Sequence, residues 1–211
     1  LWYRNTGFQP ARSHTQTTAQ AGSLCYKSKK MNVPELETSR LKLIRLTESH
    51  YNDLFDIFSD EESMKYWDDP PMESIDEVKN LVEFLDKRIE DGRGICWGIT
   101  LKTAPKKVIG MFTYNDFRKD GNAFIGYILA RKHWGQGLST EAVGVAVEYG
   151  FSQMGVHRIE AHVEPKNIAS EKLLLKIGFQ KEGILRERTF NKGKYQDMVY
   201  FGLLKTDKRN T

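Results

Sequence analysis

The chain has 211 residues, 39% hydrophobic and 28% charged, the usage of one globular domain with room for a sizeable core. No run reaches the roughly 18 apolar residues of a membrane-spanning helix, so no helical membrane segment is expected. Of the net charge of +4, residues 1–30 supply Arg4, Arg12, Lys27, Lys29 and Lys30 with no acid, leaving about −1 for 31–211 and no electrostatic case for direct nucleic-acid binding.

The two cysteines, Cys25 and Cys96, form no disulfide framework and no metal-ligand spacing. No metal is therefore expected, and a reducing, cytoplasmic compartment is. The first thirty residues are rich in Ser, Thr, Gln and Ala and show no periodicity. They read as a leader or extension, with an organelle-targeting segment as the sharper alternative. The folded domain is expected over 31–211.

Alternating Leu41 and Leu43 mark a first strand at 40–46. Tyr51, Leu54, Phe55 and Phe58 then line one helical face. Asp69, Pro70 and Pro71 break the pattern, and a second helix starts at Ser74, where Glu77 completes a capping box. It stacks Ile75, Val78, Val82, Leu85 and Ile89 and stops at Gly92 and Gly94. The period then becomes strand-like at 95–101, 108–117 and 123–130, a meander. A helix at 139–154, a strand at 158–163, a helix at 168–177 and a closing hairpin at 179–187 and 195–204 follow. This order argues for one α/β domain, a single mixed sheet flanked by helices.

The informative run is Tyr127-Ile-Leu-Ala-Arg-Lys-His-Trp-Gly135-Gln-Gly137-Leu-Ser139-Thr140-Glu141. A strand ends, a short glycine loop turns the chain, and a helix begins at once. Gly135 and Gly137 allow close approach and unusual backbone angles, and the free N–H groups of the new helix point to the same place. That suits a pyrophosphate; the bland alternative is a turn chosen for packing. The spacing fits neither a Walker loop nor a dinucleotide fingerprint.

With these segments in view the chain resembles the GNAT family of N-acetyltransferases, and within it the ribosomal-protein N-terminal (alanine/serine) acetyltransferase branch. Four segments carry the resemblance: Glu37-Thr-Ser-Arg40-Leu-Lys-Leu-Ile-Arg45; Ile125-Gly126-Tyr127; His133-Trp134-Gly135-Gln136-Gly137-Leu-Ser-Thr140-Glu141; and Asn167-Ile-Ala-Ser170 with Lys176-Ile-Gly178-Phe179. The resemblance implies a largely antiparallel mixed sheet of six or seven strands, about four helices, and acetyl-coenzyme A as co-substrate. Pantetheine would pair with the backbone of Ile128, Leu129 and Ala130. Amides of His133, Trp134, Gly135, Gln136, Gly137, Leu138, Ser139 and Thr140 would hold the pyrophosphate. Asn167 would reach the pantetheine, and Ser170 would lie near the sulfur.

The implied reaction is direct attack of an amine on the thioester, the acceptor being a protein N-terminus or a small molecule. Where related alanine N-terminal acetyltransferases carry a glutamate and a tyrosine, this chain has His162 and Leu174. His162 is the candidate base, with a water chain or a plain surface histidine as alternatives. Ser170 is the candidate proton donor, or a helix-start residue bonding local backbone. Phe124 stands where a glutamate is common. Trp67, Trp97 and Trp134 are readable as acceptor-pocket or packing residues, and Asp60, Glu61 and Glu62 as a dock for a basic tail or a solvated helix end. A homodimer is the assembly the resemblance suggests, and an acyl-coenzyme A-binding module without catalysis is the second function class.

Overall fold

The computed structural model describes residues 31–67, 69–118 and 120–208; the expected leader lies outside them. Strands β1 (Leu36–Glu37), β2 (Leu41–Ile44), β3 (Ile95–Leu101), β4 (Ala104–Phe117), β5 (Asn122–Leu129), β6 (Arg158–Val163), β7 (Gln180–Asn191) and β8 (Lys194–Leu204) form one sheet. Its order is β1-β2-β3-β4-β5-β6-β8-β7. Every pairing is antiparallel except β5 with β6. The strand count exceeds the expected six or seven because Leu36 and Glu37 pair with Leu43 and Lys42, a two-residue strand too short to show alternation.

Among the described residues four helices flank the sheet: α1 (Tyr51–Phe58), α2 (Ile75–Glu90), α3 (Leu138–Ser152) and α4 (Ile168–Ile177). The capping box read at Ser74 is present, with Glu77 Oε1 accepting the Ser74 N–H at 3.1 Å. On α1 the buried stripe is Leu54, Ile57 and Phe58, with Tyr51 and Phe55 half-buried at its margin. One sheet face presents Trp97, Phe112 and Tyr114 to α3. There Trp97 meets the Tyr149 ring, and Tyr114 Oη donates to the Ala146 carbonyl at 2.9 Å. The other face lies under α1 and α2, where Asp53 Oδ2 accepts the Val108 N–H at 2.8 Å. Cover on both faces makes β4 buried without interruption from Val108 to Asn115.

Tyr114 pairs with Ile125, yet the next β5 residue, Phe124, pairs with Asp116, so Asn115 is an extra residue in β4. Such a bulge sharpens local twist. At this same level β5 and β6 part: they pair at Asn122, Ala123 and Phe124, and no further. β6 meanwhile stays paired with β8 along its whole length.

A side chain on Gly126 would meet Asn115 Nδ2 at 3.0 Å and Thr113 Oγ1 at 3.2 Å, so glycine leaves room for the bulged side chain. Gly126→Val is expected to destabilise the protein by about 1–3 kcal/mol through overpacking, seen as a fall of several degrees in Tm by calorimetry. An unchanged Tm would show that Asn115 yields freely.

Candidate active site

The parting of β5 and β6 leaves a strand edge inside the sheet. The Ala130 N–H donates to the Ile109 carbonyl at 2.8 Å, on the β4 side. Strand alternation then turns the backbone groups of Ile125, Tyr127 and Leu129 toward the gap, and those of Ile128 toward β4. The Leu129 carbonyl accepts from Trp134 Nε1 at 2.7 Å, which folds the half-exposed indole over the end of β5.

Beyond β5 the chain makes a single 3-10 turn, Arg131–His133, and enters α3. The N–H groups of His133 and Trp134 are engaged by the Ala130 and Arg131 carbonyls. Gly135 and Gly137 have φ of 72° and 74°, the left-handed region that glycine enters without strain, and Gly137 is the N-cap of α3. The first helical bond runs from the Glu141 N–H to the Gly137 carbonyl. The N–H groups of Leu138, Ser139 and Thr140 therefore precede it and point out of the helix start, where an anion is favoured.

This loop is tied to the β1–β2 turn. Glu141 accepts from Thr38 Oγ1, Ser39 Oγ, the Arg40 N–H at 2.9 Å and Arg40 Nε at 2.7 Å. Arg40 also donates to the Gln136 carbonyl at 2.9 Å. Burial alone would raise the carboxyl pKa, but these donors outweigh it and hold it at about 2.

The gap has chemically different walls on the two sheet faces. On the α3 side Tyr127 Oη lies 2.6 Å from Ser170 Oγ. Asn167 caps α4, its Oδ1 accepting the Ser170 N–H at 3.1 Å, which leaves its amide hydrogens uncommitted by that bond. On the opposite face His162 sits between the rings of Phe124 and Tyr200, with centroids at 4.7 and 5.5 Å. Burial, with the charge of Arg188 second, pushes its pKa down to about 4. Its Nδ1 is buried without a protein partner. Glu160, two residues earlier on that face, is engaged by Arg158 at 2.8 Å and Arg118 at 3.6 Å.

The segment before α2 roofs this second face. Asn191 and Lys192, at the tip of the β7–β8 hairpin, donate to the carbonyls of Trp67, Met64 and Lys65. Tyr66 Oη reaches the Lys166 carbonyl at 3.1 Å, next to Asn167.

A strand edge opened within a sheet, a glycine turn and a helix start aimed beside it fit an extended, amide-bearing ligand that ends in phosphates. A model of the acetyltransferase (GNAT) domain matches residues 40–180. The chain belongs to the GNAT acetyltransferase family.

Over 173 residues it is 36% identical to an uncharacterized N-acetyltransferase, YoaA, of Bacillus subtilis, covering 82% of this chain and 97% of that one. Over 104 residues, 48% of this chain and 54% of the other, it is 31% identical to the ribosomal protein uS5-alanine N-acetyltransferase of Escherichia coli. The crystal structure of a spermidine N-acetyltransferase from Vibrio cholerae, in complex with CoA and spermine, has a TM-score of 0.71 and 26% identity, covering 80% of this chain and 98% of that one. This GNAT protein is thus an N-acetyltransferase whose co-substrate is acetyl-coenzyme A.

Among the described residues no group of His, Cys, Asp and Glu could hold a metal ion, and no helix is long and apolar enough to cross a membrane. Of the residues singled out in the sequence, Leu129 turns its backbone toward the gap, whereas the Ile128 backbone and the Ala130 N–H turn to β4 and the N–H groups of His133 and Trp134 are taken up within the turn; Gly137 to Thr140 form the start of α3, and Asn167 and Ser170 the start of α4. His162 lies across the sheet from Ser170. Trp97 is a core residue, wholly buried, with its Nε1 donating to the Pro34 carbonyl at 2.7 Å. Trp67 packs edge-on to Phe58.

Two features escaped sequence reasoning. The Arg40–Glu141 tie joins residues 101 apart, and its available signal was the presence of both in motif segments. The Tyr127 hydroxyl was read only as part of a strand motif.

Glu141→Gln keeps the shape but loses the charge that Arg40 pairs. A carboxyl held below its ordinary 4.5 lends stability that is full above that value and lost as pH falls from 4.5 toward 2. The variant is expected to be less stable at pH 7 by about 2 kcal/mol, with the difference shrinking below pH 4.5, by calorimetric melts across pH. Its coenzyme A affinity should fall as well, since Arg40 orients the Gln136 carbonyl; equal binding by titration calorimetry would refute that link.

Proposed function

We propose that the acceptor is an α-amino group, that of a protein N-terminus, and that the acetyl transfer takes place in the gap between β5 and β6. The weakness of the available base carries this reading. His162 is neutral at pH 7 but holds a proton only below about pH 4. Passing it a proton from an α-ammonium is therefore uphill by about ten-thousand-fold. The amine must arrive neutral. An α-amine is roughly a tenth neutral at pH 7, a lysine-like amine well under a thousandth, costs of about 1 and about 4.6 kcal/mol. The partial likeness to the uS5-alanine enzyme supports the same choice.

When bound, acetyl-coenzyme A supplies the thioester. The N–H groups of Gly135 to Thr140 would hold its pyrophosphate, the turned-out backbone of Tyr127 and the Leu129 N–H would pair with its pantetheine amides, and Asn167 would donate to it through Nδ2. His162 takes a hydrogen bond from the nitrogen as that atom sheds its proton after attack. Ser170, across the sheet, would face the departing sulfur. A cytoplasmic location agrees with a buried, reduced Cys96.

A polyamine acceptor is the second reading, favoured by the Vibrio cholerae relative. A cleft of about 450 Å³ beside Ala130 carries Asp53, Asp56 and Asp60, which would attract a cation. Lys107, Arg131 and Lys132 line the same cleft and offset that pull.

The test is thiol release from acetyl-coenzyme A with peptides beginning Ser or Ala, the same peptides with blocked α-amines, and spermidine. Release with free peptides alone is expected, and His162→Gln should slow it about tenfold or more. Wild-type kcat/KM should climb with pH and level off near 8, where the amine itself titrates, with no inflection from His162 above pH 5. Preference for spermidine would transfer the assignment to the polyamine. Coenzyme A binding without release from any amine would indicate an acyl-coenzyme A-binding module.

A further inference from the structure

On α4 the position where related enzymes place a tyrosine is Leu174, wholly buried in the core. A different phenol approaches the same region from the sheet. Tyr127 projects from β5 on the α3 side, and its hydroxyl lies 2.6 Å from Ser170 Oγ. Either oxygen could donate in isolation, but the two differ in acidity. Ser170 Oγ is the partner recorded for the Tyr127 hydroxyl among the described residues. A phenol is the more acidic of the two hydroxyls and so the favoured donor. Tyr127 therefore donates and Ser170 accepts.

The Ser170 hydrogen is then left over. A serine this early in a helix would ordinarily bond a nearby backbone carbonyl. The carbonyl four residues back, that of Lys166, already accepts from Tyr66 Oη at 3.1 Å. The Ser170 N–H is committed to Asn167 Oδ1, which fixes the start of α4 and with it the serine. Among the described residues the Ser170 hydroxyl bonds no side chain or backbone group besides Tyr127, so its hydrogen is free for a ligand in the gap where β5 and β6 part.

We propose that Tyr127 is a positioning residue: it holds the Ser170 hydroxyl with its hydrogen turned into the gap, toward the sulfur that leaves. The inference rests on the acetyl transfer of the preceding section. In that reaction the amine nitrogen forms a bond to the thioester carbon, the C–S bond breaks, and its electron pair goes to sulfur. The proton shed by the nitrogen ends on that sulfur, so amine and thioester become amide and thiol with no other reactant. Ser170 steadies the thiolate by a hydrogen bond until the proton arrives, and the bond from Tyr127 polarises Ser170 for that task. Burial pushes the phenol pKa up, so Tyr127 remains a donor throughout the pH range in which an α-amine is neutral.

Tyr127→Phe removes the hydroxyl and keeps the ring. With a Ser-initial peptide and acetyl-coenzyme A, kcat is expected to fall about tenfold or more, with KM for acetyl-coenzyme A within about twofold of wild type. Thermal melts should show both proteins folded. The decisive comparison uses the acetyl selenoester analogue of coenzyme A, whose selenolate is a far weaker base than a thiolate and leaves without help. There Tyr127→Phe and Ser170→Ala should both approach the wild type, and with the thioester the double variant should be no slower than the slower single one. A loss of equal size with both esters would overturn the proposal in favour of a packing role. Full thioester activity in Tyr127→Phe beside a slow Ser170→Ala would overturn it too, while leaving the acetyl transfer intact. A wild type that turns over no amine would refute the transfer itself, and the proposal with it.

Discussion

Asn115 is the extra residue that β4 carries against β5, and the working parts of the protein are arranged around its consequence. A sheet closes its hydrogen bonds from strand to strand, and an unpaired edge within it is normally costly. Here the bulge in β4 lies at the level where β5 loses its pairing with β6, while β6 stays paired with β8. The parallel pairing of β5 and β6 ends at Phe124 and Glu160. What results is a slot with backbone donors and acceptors on its wall, the condition for an extended amide chain to take the place of a strand. Gly126 is part of the same device, because a side chain there would press on Asn115 and Thr113.

The helix-start end of the slot depends on a balance of charge. A helix start attracts phosphate, but Glu141 in its first turn would repel it. Arg40 and the hydroxyls of Thr38 and Ser39 take up that carboxylate, and Arg40 continues to the Gln136 carbonyl. The first strands of the chain thus brace a loop about a hundred residues later. The negative charge becomes an anchor for the loop.

In the proposed reaction, function is divided between the two faces of the sheet. Phe124 and Tyr127 are three residues apart on β5 and so point to opposite sides. One stacks on His162, a neutral ring walled by aromatics; the other bonds Ser170, a hydroxyl at the start of α4. An acceptor entering from the roofed side and a thioester entering from the α3 side would meet in the slot between them. Tyr66, Asn191 and Lys192 join the roof to the hairpin and to the β6–α4 loop, so this side is built from three distant segments.

Local periodicity determined the order of strands and helices, and the glycine turn at Gly135 and Gly137 was legible because left-handed backbone and a helix start are properties of adjacent residues. The capping box at Ser74 was readable for the same reason, whereas the candidate residues near the slot, Asn167 and Ser170 among them, were named only by resemblance to the GNAT family. Strand β1 was not readable, since two residues carry no period. Nor was the chemistry of His162. Its low pKa comes from enclosure by Phe124 and Tyr200, which lie on different strands, so a histidine readable as a base becomes one that stays neutral. Trp97, ambiguous as a sequence feature, is core because strands on both sides and α3 surround it. The Tyr127–Ser170 pair joins residues 43 apart, and only the tertiary structure could decide it. Sequence sets what each residue can donate, accept or bury, whereas partners and dielectric surroundings are set by segments that meet after folding.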